Sequence, residues 1–149
     1  MMATASRRSP EVVAQRLQEL NQSHPEQTQL IELGRSHEGR PLYALVIAEA
    51  LQDGDPRPAF LLNGAHHGGE LLSVDIVLDA IDVLLGEAEP QLAERAQRWR
   101  QELVLWCVPE VNPDGVYSVL HDLERGDRKN ARDNNHNGRI DAGDGVDLN

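Results

Sequence analysis

Lys129 is the only lysine in this chain, and the 14 basic residues face 25 acidic ones, for a net charge of −11. That shortage of positive charge excludes nucleic acid and anionic membrane surfaces as natural partners, since both are held through basic patches. Cysteine is equally scarce. Cys107 stands alone within the apolar run Leu103-Val104-Leu105-Trp106-Cys107-Val108, so an internal disulfide is excluded and the thiol is expected to be buried and inert. No apolar stretch is long enough to span a bilayer. No apolar core follows Arg7 and Arg8, so no secretory leader is visible. With Met1 as the true start this predicts a cytoplasmic product, and with a mis-assigned start a secreted one. What remains, 149 residues that are 40% hydrophobic and 26% charged, fits one globular domain.

Two familiar zinc signatures are also missing. There is no His-Glu-x-x-His, and Leu71 occupies the place where an inverted His-x-x-Glu-His needs its second histidine. The stretch Asn63-Gly64-Ala65-His66-His67-Gly68-Gly69-Glu70 nevertheless puts an imidazole and a carboxylate three residues apart, straight after the apolar Ala59-Phe60-Leu61-Leu62. The apolar run reads as a buried strand and residues 71–85 as a helix, so the pair falls at a strand-to-helix corner where both side chains can point into one cleft. Nitrogen and carboxylate oxygen both suit Zn²⁺, and the glycines let the backbone turn tightly. The spacing alone equally fits a capped helix start with surface histidines. It also leaves His66 and His67 both within reach of Glu70.

Ser9-Pro10-Glu11 opens a helix, with serine as cap and proline first inside, and Val12, Val13, Leu17 and Leu20 form its apolar stripe as far as Ser23-His24-Pro25. Residues 29–33 and 42–48 read as the strands of a hairpin joined through Gly34-Arg35-Ser36-His37-Glu38-Gly39-Arg40-Pro41. After the strand at 59–62, the helix at 70–85 shows a broad apolar face of Leu71, Val74, Val77, Leu78, Ile81 and Leu85, with Asp75, Asp79 and Asp82 on its wet side. A helix at 90–101 then leads into a strand at 103–108. A strand-helix-strand unit implies parallel strands with a right-handed crossover, and the class is α/β. Beyond Pro109 regular structure is expected to fade, with a turn at Asn112-Pro113-Asp114-Gly115 beside the carboxyl end of the last strand, where open α/β sheets form their sites.

Five segments in order, Gly34-Arg35-Ser36-x-Glu38-Gly39-Arg40-Pro41-Leu42, the Gly64 to Glu70 motif, Pro109-x-x-Asn112-Pro113-Asp114-Gly115, Arg128-Lys129-Asn130 and Gly145-Val146-Asp147-Leu148-Asn149, resemble the motifs of the zinc metallocarboxypeptidases of the carboxypeptidase A type. The resemblance implies a mixed, largely parallel twisted sheet flanked by helices, with residues 1–149 forming the N-terminal part of a single catalytic domain. It implies hydrolysis of C-terminal residues from peptides by a metal-activated water, and hence a peptide with a free C-terminus as partner. It assigns His67 and Glu70 to zinc, with His66 a neighbour, and Asp147 to the carboxylate that takes the second imidazole N–H. Arg128 matches the group that polarises the scissile carbonyl and stabilises the oxyanion. Asn149 matches the residue that helps hold the substrate's terminal carboxylate.

The departures are as informative. In that family the second zinc histidine, the general-base glutamate and most of the specificity pocket lie after the Val-Asp-Leu-Asn segment, and the arginine that usually follows Asn149 is absent. His24, His37, His121 and His136 stand in surface-type or polar contexts, and none reads as a third ligand. The expectation is the N-terminal part of a longer enzyme, inactive alone. A zinc amidohydrolase acting on N-acyl amino acids shares the His-x-x-Glu corner, and a non-catalytic calcium- or peptide-binding fragment is the reading from another class. The hairpin and Gly-Val-Asp-Leu-Asn motifs favour the peptidase.

Residues 133–144 have the spacing of an EF-hand loop. Asp133, Asn135, Asn137, Asp141 and Asp144 fall at positions 1, 3, 5, 9 and 12, with Arg139 at position 7, Gly138 at 6 and Ile140 at 8. Asp144 is shorter than the usual glutamate and neither flank reads as a helix. The loop is therefore either a Ca²⁺ site or an Asx-rich turn.

Overall fold

Pro10 lacks a backbone N–H and opens α1 (Pro10–Ser23) where none is needed, while the Ser9 hydroxyl accepts from the Val12 N–H. The computed structural model describes residues 8–86, 89–121, 128–141 and 143–149. After α1 come β1 (Thr28–Arg35), β2 (Pro41–Ile47), β3 (Ala59–Asn63), α2 (Leu71–Leu84), α3 (Pro90–Glu102), β4 (Val104–Val108) and α4 (Pro113–Leu120). The four strands form one sheet in the order β1-β2-β4-β3.

The sheet is mixed, as expected, but the largely parallel arrangement is confined to one of its pairings. β1 and β2 are antiparallel because a short turn joins them, β2 meets β4 antiparallel, and only β3 and β4, separated by α2 and α3, run parallel. The β1–β2 register slips between Glu32 and Gly34, a bulge that leaves Leu33 exposed.

Leu45 and Ile47 of β2 with Leu105 and Cys107 of β4 form the sheet face that meets Val13, Leu17 and Leu20 of α1, Val74, Val77 and Ile81 of α2, Trp99 of α3 and Val116 of α4. The alternate residues Val46 and Val104 form a smaller cluster on the other face with Ile31, Leu51 and Trp106. Burial pushes the Cys107 thiol up to about 12, in keeping with an inert core residue.

Two expectations are corrected. Among the described residues β3 is an edge strand paired only with β4, and Phe60 and Leu61 are more than half exposed where a buried strand was expected. Regular structure also continues past Pro109. Asn112 caps α4 by accepting from the Gly115 N–H, Pro113 takes the first helical position, and Val116 is fully buried, so packing overrides a run poor in helix formers. No helix among the described residues is long and apolar enough to cross a membrane.

Candidate functional site

The parallel ladder of β3 and β4 does not stop at the strand ends. Gly64 N–H donates to Val108 O, Val111 N–H to Gly64 O and Asn112 N–H to Ala65 O, at 2.9–3.0 Å. This carries the chain past the carboxyl end of the sheet before it turns into α2. Ser73 braces the turn, its hydroxyl accepting from Ala65 N–H at 2.8 Å and donating to the Glu70 carbonyl at 2.6 Å. Gly68 packs against Gly115 so closely that a Cβ at Gly68 would lie 2.1 Å from the Gly115 carbonyl carbon. Only glycine fits there.

This corner turns His67 toward Glu70. The His67 Nδ1 and a Glu70 carboxylate oxygen are 2.7 Å apart, with His67 only 6% exposed. His66 lies beside them, half-buried, with its carbonyl accepting from Asn112.

A second segment closes on the corner from the far end of the chain. Asn130 N–H donates to Val146 O, the Asn130 side-chain oxygen accepts from Val146 N–H, and Gly145 N–H donates to Arg132 O. Gly145 has φ +82°, and a Cβ on it would meet Asn130 O at 2.5 Å, so this crossing also requires glycine. The crossing lays residues 128–132 beside 144–147. Arg128 Nε donates to Asp147 Oδ2 at 2.6 Å, and Asp147 Oδ1 lies 3.1 Å from His67 Nε2. Glu70, His67, Asp147 and Arg128 thus form one hydrogen-bonded chain.

The electrostatics follow that chain. Glu70 first, and Asp147 after it, raise the His67 pKa above the ordinary histidine value, against burial and the Arg128 charge. His67 lowers Glu70 in turn, and Arg128, ahead of His67, holds Asp147 below the usual carboxylate range.

The donor set suits zinc: an imidazole nitrogen adjoins a carboxylate oxygen, and the other ring nitrogen faces a second carboxylate of the kind that fixes a metal-bound tautomer. His67 and Glu70 supply two donors, and among the described residues no three His, Cys, Asp or Glu side chains cluster for a metal ion. The Nδ1 atoms of His24 and His121 face the carbonyls of Leu20 and Tyr117 in their own helices. Among the described residues Asn149 joins the group through its main chain, its N–H donating to Asp147 Oδ1 at 3.3 Å and its carbonyl accepting from Arg128 Nη2 at 3.5 Å.

The loop at 133–144 takes the form of an Asx-rich turn. Asp133 accepts from the N–H groups of Asn137 and Gly138, Asn135 from Asn137, Asn137 from Arg139, and Asp141 from Gly143. Asp144, buried, accepts from Asp141 and Asn134, whose N–H groups hold it below the usual carboxylate range. These oxygens accept from the loop's own backbone, and among the described residues no three His, Cys, Asp or Glu side chains gather for a metal ion.

Two contributors were not legible as such in the sequence. Asn112 and Asp114 read as turn residues, yet both are 2% exposed. Asp114 accepts from Ser36 Oγ at 2.7 Å, Glu38 N–H at 3.1 Å and Arg40 Nη1 at 2.6 Å, locking the β1–β2 turn to α4. The donors offered by Ser36-x-Glu38-Gly39-Arg40 were the available signal.

The family model for zinc carboxypeptidases matches residues 13–149. A zinc carboxypeptidase of Saccharothrix mutabilis subsp. capreolus is 32% identical over 78% of this chain and 27% of its own length. The carboxypeptidase A structure from Helicoverpa armigera superposes with a TM-score of 0.70 at 28% identity, over 86% of this chain and 29% of that one. A metallo-carboxypeptidase structure from Burkholderia cenocepacia gives a TM-score of 0.66 at 29% identity, covering 81% and 30%. The chain spans about a quarter of the length of the curated relatives it matches. On the strength of a family match that runs over residues 13–149, this chain belongs to the zinc carboxypeptidase family.

Proposed function

We propose that this chain supplies the first half of the metal site and the oxyanion-stabilising arginine of a zinc-dependent carboxypeptidase acting on peptides with a free C-terminus. The observation that carries the reading is the Glu70–His67–Asp147–Arg128 chain, in which His67 and Asp147 meet across a separation of 80 residues. His67 Nδ1 and Glu70 would hold zinc, which when bound supplies a Lewis acid and an activated water. With zinc bound, Asp147 would accept a hydrogen bond from the His67 Nε2–H, leaving the Nδ1 lone pair for the metal. The same carboxylate engages Arg128 Nε and so fixes the guanidinium plane. Its Nη edge, on a side chain 56% exposed and holding the Asn149 carbonyl at 3.5 Å through Nη2, faces outward to meet a carbonyl oxygen as negative charge develops there. Asn149, next to that edge, is suited to the substrate's terminal carboxylate. A zinc carboxypeptidase accounts for this centre better than a zinc amidohydrolase or a non-catalytic fragment does, because the hairpin and turn motifs that resemble the peptidase family lie around it.

The test is zinc affinity of the 149-residue chain, measured by competition with a chromophoric chelator. His67→Ala and Glu70→Ala are expected to abolish binding, and His66→Ala to leave it within about twofold of the parent. Equal losses at His66 and His67 would overturn the assignment. With two protein ligands where a catalytic site uses three, the chain alone is expected not to cleave a blocked dipeptide, and zinc-dependent turnover by it would overturn the two-ligand reading.

A further inference from the structure

Asn112 lies where three parts of the site meet. Its side chain is 2% exposed, between β4 and α4. Its Nδ2 donates to the His66 carbonyl at 3.1 Å and to the Arg128 carbonyl at 3.5 Å, and its Oδ1 accepts from Gly115 N–H at 3.0 Å. One amide therefore grips the peptide just before His67 and the peptide of Arg128, two segments that no strand or helix joins. The surroundings are shaped to let it reach. A Cβ at Gly115 would lie 2.6 Å from Asn112 Nδ2, and a Cβ at Gly68 would strike the Gly115 backbone.

We propose that Asn112 is a positioning residue that sets the placement of the His67–Glu70 donor pair relative to Arg128, an inference resting on the reading of those residues as metal and oxyanion groups. Two carbonyl oxygens and one N–H require two donors and one acceptor in a single plane, which asparagine supplies and no isosteric residue does. The competing explanation is that Asn112 only caps α4. Capping uses the Oδ1 bond alone, and aspartate caps as well as asparagine does, with favourable charge at a helix N-terminus. Asn112→Asp therefore separates the two. It keeps the cap and the shape, removes both donors, and sets a carboxylate oxygen against the two carbonyls.

The experiment compares the parent chain, Asn112→Asp and His67→Ala in three measurements: helical circular dichroism, zinc affinity by chelator competition, and the ¹⁵N–¹H resonances of Arg128 Nε and the His67 ring in the metal-free chain. For Asn112→Asp the helical signal should be retained, zinc binding should weaken by roughly tenfold to a hundredfold, as for other partners that orient metal ligands, and both sets of resonances should shift. Unchanged resonances and unchanged affinity would leave Asn112 a cap and overturn the proposal. If His67→Ala leaves zinc binding intact, the metal assignment is what fails. The metal-free resonances then still decide whether Asn112 couples the two segments.

Discussion

Glu110 shows how a single residue can set the pH response of this fold. It follows β4, only 7% exposed, against Val13 and Leu17 of α1 and Tyr43 of β2, and one of its carboxylate oxygens has no hydrogen-bond partner among the described residues. Burial, and next the charge of Glu11, push its pKa up to about 8 from an ordinary value of 4.5. The folded state therefore holds a proton that the unfolded chain releases. The stabilising contribution is complete below the unfolded value, declines as pH rises above it, and is lost once pH passes about 8. A shift of this size corresponds to a change on the order of 3–5 kcal/mol. Urea denaturation between pH 5 and pH 9, a range of about four units, should show the parent losing stability with rising pH while Glu110→Gln stays nearly level. Parallel profiles would show that the carboxyl is not held neutral.

At the scale of elements, the informative contact is the one between the β1–β2 turn and α4. Asp114, with its side chain 1% exposed, takes hydrogen bonds from Ser36, Glu38 and Arg40, and the Arg40 guanidinium also lies 3.8 Å above the Tyr117 ring. Removing one member of a buried, hydrogen-bonded pair leaves the others unsatisfied, which typically costs about 3–5 kcal/mol. Asp114→Ala should lose stability on that scale, with faster amide exchange in both the 36–40 turn and α4. A loss confined to α4 would mean the turn is held by other contacts. This contact also explains what the sequence did and did not disclose. Hydrophobic period and capping residues identified α1, α2, α3 and the four strands within a few residues, because each rule is local. α4 escaped notice since Gly115, Val116, Tyr117 and Val119 are weak helix formers, and its stability comes from burial and from Asp114, contacts made across the whole chain. The candidate site divides in the same way. His67 and Glu70 were legible as a spaced pair and the family resemblance chose His67 over His66, whereas the corner that faces His67 to Glu70 depends on Gly68 packing against Gly115, and Asn112 and Asp114 on partners far away in sequence.

For the whole molecule, the two edges of the sheet are unequally protected. β1 carries Gln29, Glu32 and Arg35 and is broken by its bulge, features that discourage pairing with another chain. β3 reads Ala59-Phe60-Leu61-Leu62-Asn63 with neither charge nor bulge, and Phe60 and Leu61 are 54% and 58% exposed. Beside it opens a groove of about 560 Å³, lined by Phe60, Leu62, Val83, Trp99 and Leu105, while Leu72 and Ile76 of α2 add further exposed apolar surface. An apolar edge next to an apolar groove favours a second copy of this chain as occupant, adding backbone hydrogen bonds and covering the groove together. The net charge of −11 opposes that approach over a range set by the Debye length, so salt should tilt the balance. Light scattering on the 149-residue chain is expected to report association that grows as ionic strength rises from about 0.01 M to 0.15 M. Phe60→Lys and Leu61→Lys should each suppress it, since a charge on an edge strand cannot be buried against a partner without desolvation. Both side chains are exposed, so neither change should move the melting temperature by more than a few degrees. A chain that stays monomeric at every salt concentration, or that associates equally with lysine at either position, would show that β3 is not the contact.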